Sequence, residues 1–167
     1  MMLDIAIEAD PEWDSSSRWE TLVRSAAEAA VAESAFPQLT GSERPVELSI
    51  RLTSDNEVKA LNARWRGKDK PTNVLSFPQL EPEELDSIAP GPELMLGDIV
   101  LARGVCEREA QEKGVSLEEH ATHLLVHGTL HLLGYDHQDD GSAEEMETRE
   151  VRALARLGIS DPYEVRD

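Results

Sequence analysis

His127, His131 and His137 are the side chains of this sequence best placed to do chemistry together, because they stand four and then six positions apart around Gly134. In a helix, residues four apart rise ~6 Å with their side chains stacked, so two imidazole nitrogens can converge on one ion at the ~2.0–2.1 Å that zinc requires. Gly134 can take the left-handed conformation that ends a helix, after which three residues suffice to turn the chain back and deliver His137 as a third ligand. The negative end of the helix dipole favours a cation at that point. Three protein ligands leave a fourth position for water, the open arrangement of a catalytic zinc.

The surrounding residues qualify this picture. His123 precedes His127 by four but lacks the turn, so it is expected to support a ligand or pack the helix. His120, next to Glu118 and Glu119, is expected at the solvated surface. Asp136 either orients a ligand imidazole through its second ring nitrogen or caps the turn. The positions of His127, His131, Gly134 and His137 match the zinc-protease signature H-E-x-x-H-x-x-G-x-x-H at every metal position, but Gly128 replaces its glutamate base, and Met146 falls in a predicted helix rather than a methionine turn. The implied chemistry is therefore metal-dependent hydrolysis that leans on metal-bound hydroxide and on groups from elsewhere. A metallopeptidase stays open as an alternative.

The elements that must position these residues follow from periodicity. Residues 3–7 and 46–52 alternate with period two and predict strands; 73–77 predicts a third, stopped by Pro78. The nearly all-apolar stretch 94–101 predicts a central strand buried on both faces. Capping boxes at Ser17/Glu20, Ser54/Glu57, Ser116/Glu119 and Ser142/Glu145 predict helices over 17–34, 54–65, 116–133 and 142–157, with another over 102–113 ending at Gly114. Residues 79–93, with Pro82, Pro90, Pro92 and five acids, predict a mobile loop. The expectation is an α+β fold: one domain spanning 1–167, with a small mixed sheet of about four strands packed with about five helices.

Composition narrows the partners. The 167 residues fit one domain with a sizeable core, and no apolar run approaches the ~20 residues of a membrane span. The first ten residues carry no secretion signal, which predicts a cytoplasmic protein without a membrane partner. One cysteine, Cys106, allows neither an intramolecular disulfide nor a thiolate zinc cluster, and its acidic neighbours favour a buried packing role. The net charge of −18 argues against a polyanionic partner, yet residues 44–70 hold seven basic against four acidic side chains. Arg64, Arg66, Lys68 and Lys70 are the phosphate candidates there. Trp65 and Tyr135 are the aromatic residues near the motifs, and Trp65 is expected in the core or at a helix cap.

Three segments resemble the YbeY family of bacterial rRNA maturation factors, metal-dependent single-strand endoribonucleases. They are Leu61-Asn62 with Arg66-Gly67-Lys68-Asp69-Lys70-Pro71-Thr72-Asn73-Val74-Leu75-Ser76-Phe77-Pro78, then Leu96-Gly97-Asp98-Ile99, then His127 to His137. The resemblance implies Zn2+ on His127, His131 and His137, an essential arginine at Arg66, and processing of single-stranded rRNA precursors in ribosome maturation and quality control. It also implies association with the small ribosomal subunit or a ribosomal protein, with no DNA partner. His127 and Arg66 are the residues expected to serve catalysis. A guanidinium presents a planar fork suited to two phosphate oxygens, and a metal and an arginine can together stabilise the charge that phosphodiester cleavage develops. A non-catalytic assembly factor with a structural metal is the remaining alternative.

Overall fold

The computed structural model describes residues 3–13, 17–37, 39, 45–80, 94–136 and 139–163, and all structural statements concern these. Among them lies one four-stranded sheet in the order β1 (Asp4–Ala9), β2 (Val46–Thr53), β4 (Leu94–Ala102), β3 (Val74–Pro78). β1 runs parallel to β2 and β2 to β4, whereas β3 is antiparallel to β4. The sheet is thus mixed, and β4 is interior, which accounts for its apolar sequence.

The β2–β4 register slips between Glu47 and Ser49, so that Met95 and Asp98 face residues only two apart on β2. Gly97 occupies this bulge with φ +147, and a Cβ there would lie 2.3 Å from the Phe77 carbonyl oxygen. Only glycine satisfies that position.

Five α-helices accompany the sheet: α1 (Ser17–Ala32), α2 (Asp55–Arg66), α3 (Arg103–Lys113), α4 (Leu117–Leu132) and α5 (Asp140–Arg156). The α+β expectation holds. α4 is the hub, packing against α1, α3, α5 and the β3–β4 side of the sheet. Leu124, Leu125, Val126, Leu130 and Leu132 are buried in the main core with Leu48, Ile50, Leu96 and Ile99. α2 covers the opposite face, because adjacent strand residues point to opposite sides: Ile99 of β4 meets Gly128 of α4, whereas Val100 clusters with Val58 of α2 and with Leu75.

The helix starts at Ser54 and Ser116 are as the capping boxes predict, each hydroxyl accepting from the amide three residues on, Glu57 and Glu119. The start predicted at Ser142 is corrected: Asp139 is the N-cap, its carboxylate accepting from the Ser142 amide, and α5 begins at Asp140. Asp caps as well as Ser, and it lies further upstream. The Ser17 side chain lies outside the described residues, as does 81–93, most of the predicted loop.

Candidate active site

α4 ends as Gly134 allows. The Gly134 amide donates to the His131 carbonyl (3.0 Å) and the Tyr135 amide to Leu130 (3.1 Å), with Gly134 at φ +99. This pair of bonds is a Schellman closure. It holds the last helical turn, which carries His131 one turn beyond His127, against fraying.

Nε2 of His127 and Nε2 of His131 stand 3.1 Å apart. Two nitrogens each ~2.0–2.1 Å from a tetrahedral ion are separated by about 3.3 Å, so the pair already has the spacing of two ligands of one zinc. The other ring nitrogen of His127, Nδ1, bonds Oε1 of Glu150 on α5. Glu150 is fully buried. Burial alone would push its pKa up, but hydrogen bonds from His123, His127 and Tyr163 outweigh it and bring the value to about 2. An ionised carboxylate only accepts, so His127 Nδ1–H is the donor, which leaves Nε2, on the side of His131, as the nitrogen turned to the cation position. The donor set therefore fits a zinc ion.

Glu150 escaped the sequence reading. It lies on the buried stripe Met146, Glu150, Ala153, Leu154 of α5, and that placement of an acid among apolar positions was the available signal. Its second oxygen, Oε2, accepts from the Tyr163 hydroxyl and lies 3.4 Å from His123 Nε2. His123 is also 3.3 Å from the Tyr163 hydroxyl. It is thus turned toward Glu150 and Tyr163, in a supporting place rather than beside the His127–His131 nitrogens. Tyr163 was likewise missed, since it follows the last helix by several residues and nothing local marks it.

His137 lies outside the described residues, and among those described no third His, Cys, Asp or Glu completes a metal-ligand group. His120 is not at the surface: it is 3% exposed, with Nε2 2.8 Å from Oε1 of Glu109. Burial lowers its pKa, more than the Glu109 hydrogen bond raises it, so the ring is held neutral. The same Glu109 oxygen accepts from Asn73 Nδ2, which ties the start of β3 to α3. Cys106 is buried as expected, and burial, reinforced by Glu109 and Asp55, raises its thiol to about 12, which excludes a nucleophilic role.

Gly128 explains its own departure from the protease signature. A Cβ there would stand 3.0 Å from Cγ2 of Ile99, so the position faces the sheet at a close helix–strand contact, where a glutamate has no room.

Arg66 sits in the last turn of α2, exposed and without a hydrogen bond or ion pair among the described residues. Gly67 caps that helix at φ +70, and buried Asn62 donates to the Lys70 carbonyl (2.9 Å), which folds Lys68 and Lys70 back beside it. Among the described residues no bond joins Arg66 to His127 or His131. Trp65 is 62% exposed, not a core residue: it lies in the last turn of α2, two residues before the Gly67 cap. Tyr135 accepts from the Ala35 amide through its hydroxyl and carries Arg149 over its ring. No described helix is long and apolar enough to cross a membrane.

The fold and site define an α+β domain organised around a buried helix that presents a carboxylate-anchored histidine pair. The chain belongs to the YbeY family: residues 5–158 match the family model described as Endoribonuclease YbeY. It is 53% identical to the endoribonuclease YbeY of Rhizorhabdus wittichii, covering 99% of each chain, and 52% identical to that of Sphingopyxis alaskensis, covering 99% of this chain and 100% of the other. The solution structure of TM1509 from Thermotoga maritima is similar at TM-score 0.54 and 25% identity, covering 96% of this chain and 99% of that one.

Proposed function

We propose that this protein is a zinc-dependent endoribonuclease that cleaves single-stranded RNA in rRNA maturation and ribosome quality control, with His127, His131 and His137 as the metal ligands. The observation that carries the metal part is the 3.1 Å approach of the two Nε2 atoms, with the other ring nitrogen of His127 held by a buried carboxylate. The RNA part rests on the relatives named as endoribonucleases, matched over almost the whole chain. Bound there, zinc would supply Lewis acidity toward a phosphoryl oxygen and lower the pKa of a water molecule, and His127, His131 and His137 would hold it.

The chain's own residues do the rest. Glu150 keeps the His127 proton on Nδ1, and Tyr163 and His123 keep Glu150 in place. The free guanidinium of Arg66 is available to grip two phosphate oxygens of the strand. The charge of −18 limits affinity for naked RNA, so the small ribosomal subunit or one of its proteins supplies part of the binding, in the cytoplasm. The close Gly128–Ile99 contact leaves no room for the glutamate base that a peptidase of that signature uses.

The test is cleavage of a labelled single-stranded rRNA fragment by zinc-loaded protein. His127→Ala and Arg66→Ala should each abolish metal-dependent cutting; full activity in both variants rejects the mechanism.

A further inference from the structure

Two large apolar side chains among the described residues stand out in solvent, Trp65 and Tyr163. Tyr163 is explained by its bond to Glu150. Trp65 has no such employment. Its exposed ring carries the Arg64 guanidinium 5.1 Å from its centroid and forms one wall of a groove of about 440 Å³ between α2 and the face of the sheet that α4 does not cover. Leu61, Phe77 and Val100 give this groove an apolar lining, and Ser49 and Asp98 place polar groups within it.

Charge is divided in a way that selects what enters. Glu8 and Asp98 line the groove, and the one cation there, Arg51, is paired at 2.7 Å with Glu57. A phosphate is repelled from such a lining. The unpaired cations Arg66, Lys68 and Lys70 stand instead at the end of α2 and on the loop after it, next to Trp65 in the chain. A ligand that fits both zones has a flat, uncharged, hydrogen-bonding part and a polyanionic backbone. That is single-stranded RNA, whose bases stack on exposed aromatic rings while its phosphates follow lysine and arginine.

We infer that the groove beside Trp65 is a base-binding subsite, in which one unpaired base of the RNA stacks on Trp65 while the flanking phosphates lie on Arg64, Arg66 and Lys68. Asp98 accepts from Gln79 Nε2 through Oδ2 at 3.0 Å and offers Oδ1 as a further acceptor, so the subsite favours bases that present an amino group. This rests on the RNA-cleaving reading above and adds the contact that holds the strand.

The full chain tests it by tryptophan fluorescence, since Trp13 and Trp19 are buried and give a constant background. Short single-stranded RNA should quench Trp65 emission; inorganic polyphosphate, a polyanion without bases, should not. Trp65→Ala should weaken RNA binding by about 5- to 150-fold, the equivalent of the ~1–3 kcal/mol of one stacked base, and raise KM for cleavage more than it lowers kcat. Trp65→Tyr should restore most of the affinity. Equal quenching by polyphosphate, quenching by unrelated peptides but not by RNA, or unchanged RNA affinity in Trp65→Ala overturns the subsite. Wild-type protein that quenches with RNA but never cuts it sinks the nuclease reading and leaves the subsite standing.

Discussion

Replacing Glu150 by glutamine separates a positioning carboxylate from mere filling of the core. The side chain keeps its shape but exchanges two acceptor oxygens for one oxygen and one NH2. Oε1 now serves His127, and Oε2 serves Tyr163 with His123 nearby. Whichever way the amide turns, one side meets a donor where it had an acceptor. The Tyr163 hydroxyl can reverse its role and accept, whereas His127 Nδ1–H cannot, so the amide oxygen is expected to stay on His127 and only the charge is lost. Removing such a partner typically lowers metal affinity 10- to 100-fold, and glutamine belongs near the lower figure, ~1.4 kcal/mol. Alanine belongs near the upper one and carries a folding penalty besides. Tyr163 is 45% exposed and can turn to water, but His123, 7% exposed, cannot. That penalty is about 1–3 kcal/mol. Competition with a chromogenic chelator at neutral pH measures zinc affinity, and urea denaturation measures the rest. Wild-type zinc affinity in both variants refutes the reasoning.

Gly128→Glu should destabilise the fold by about 1–3 kcal/mol in urea denaturation, because its Cβ meets Ile99 at 3.0 Å and the longer chain must go further into that contact, and it should gain no peptidase activity in a broad peptide screen. Cys106 should resist alkylation in the folded protein near pH 8 and react on denaturation, since burial pushes its thiol to about 12; rapid native labelling contradicts this. His120 is neutral in the fold, its pKa lowered from 6.5, so the unfolded chain takes up its proton first and stability falls as pH drops below 6.5. Glu150, lowered from 4.5 to about 2, removes a further share between those values as pH falls. Urea denaturation across that range should show both declines, and His120→Gln should flatten the upper one.

The legible parts of the fold were those set by local chemistry. Alternation marked β1 and β2, and Ser54 and Ser116 marked helix starts because a hydroxyl and the amide three residues on make a local bond. Gly134 was legible for the same reason. What escaped depends on distant partners. The order β1-β2-β4-β3 is a tertiary choice with no local signature. His120 looked solvated beside two glutamates, yet α3 supplies Glu109 to cover it. Trp65 was expected in the core or at a helix cap; it lies in the last turn of α2 but 62% exposed. Glu150 and Tyr163 were invisible as site residues because they reach the histidines from 23 and 40 positions away, measured to His127 and His123.

The central claim is that His127 and His131 hold one ion through Nε2 and that Glu150 fixes which nitrogen faces it. Anomalous diffraction at the zinc edge from zinc-loaded crystals addresses this directly. The account predicts one peak ~2.0–2.1 Å from both Nε2 atoms and from a nitrogen of His137, with His127 Nδ1 still on Glu150. A peak elsewhere, or coordination through His127 Nδ1, contradicts it.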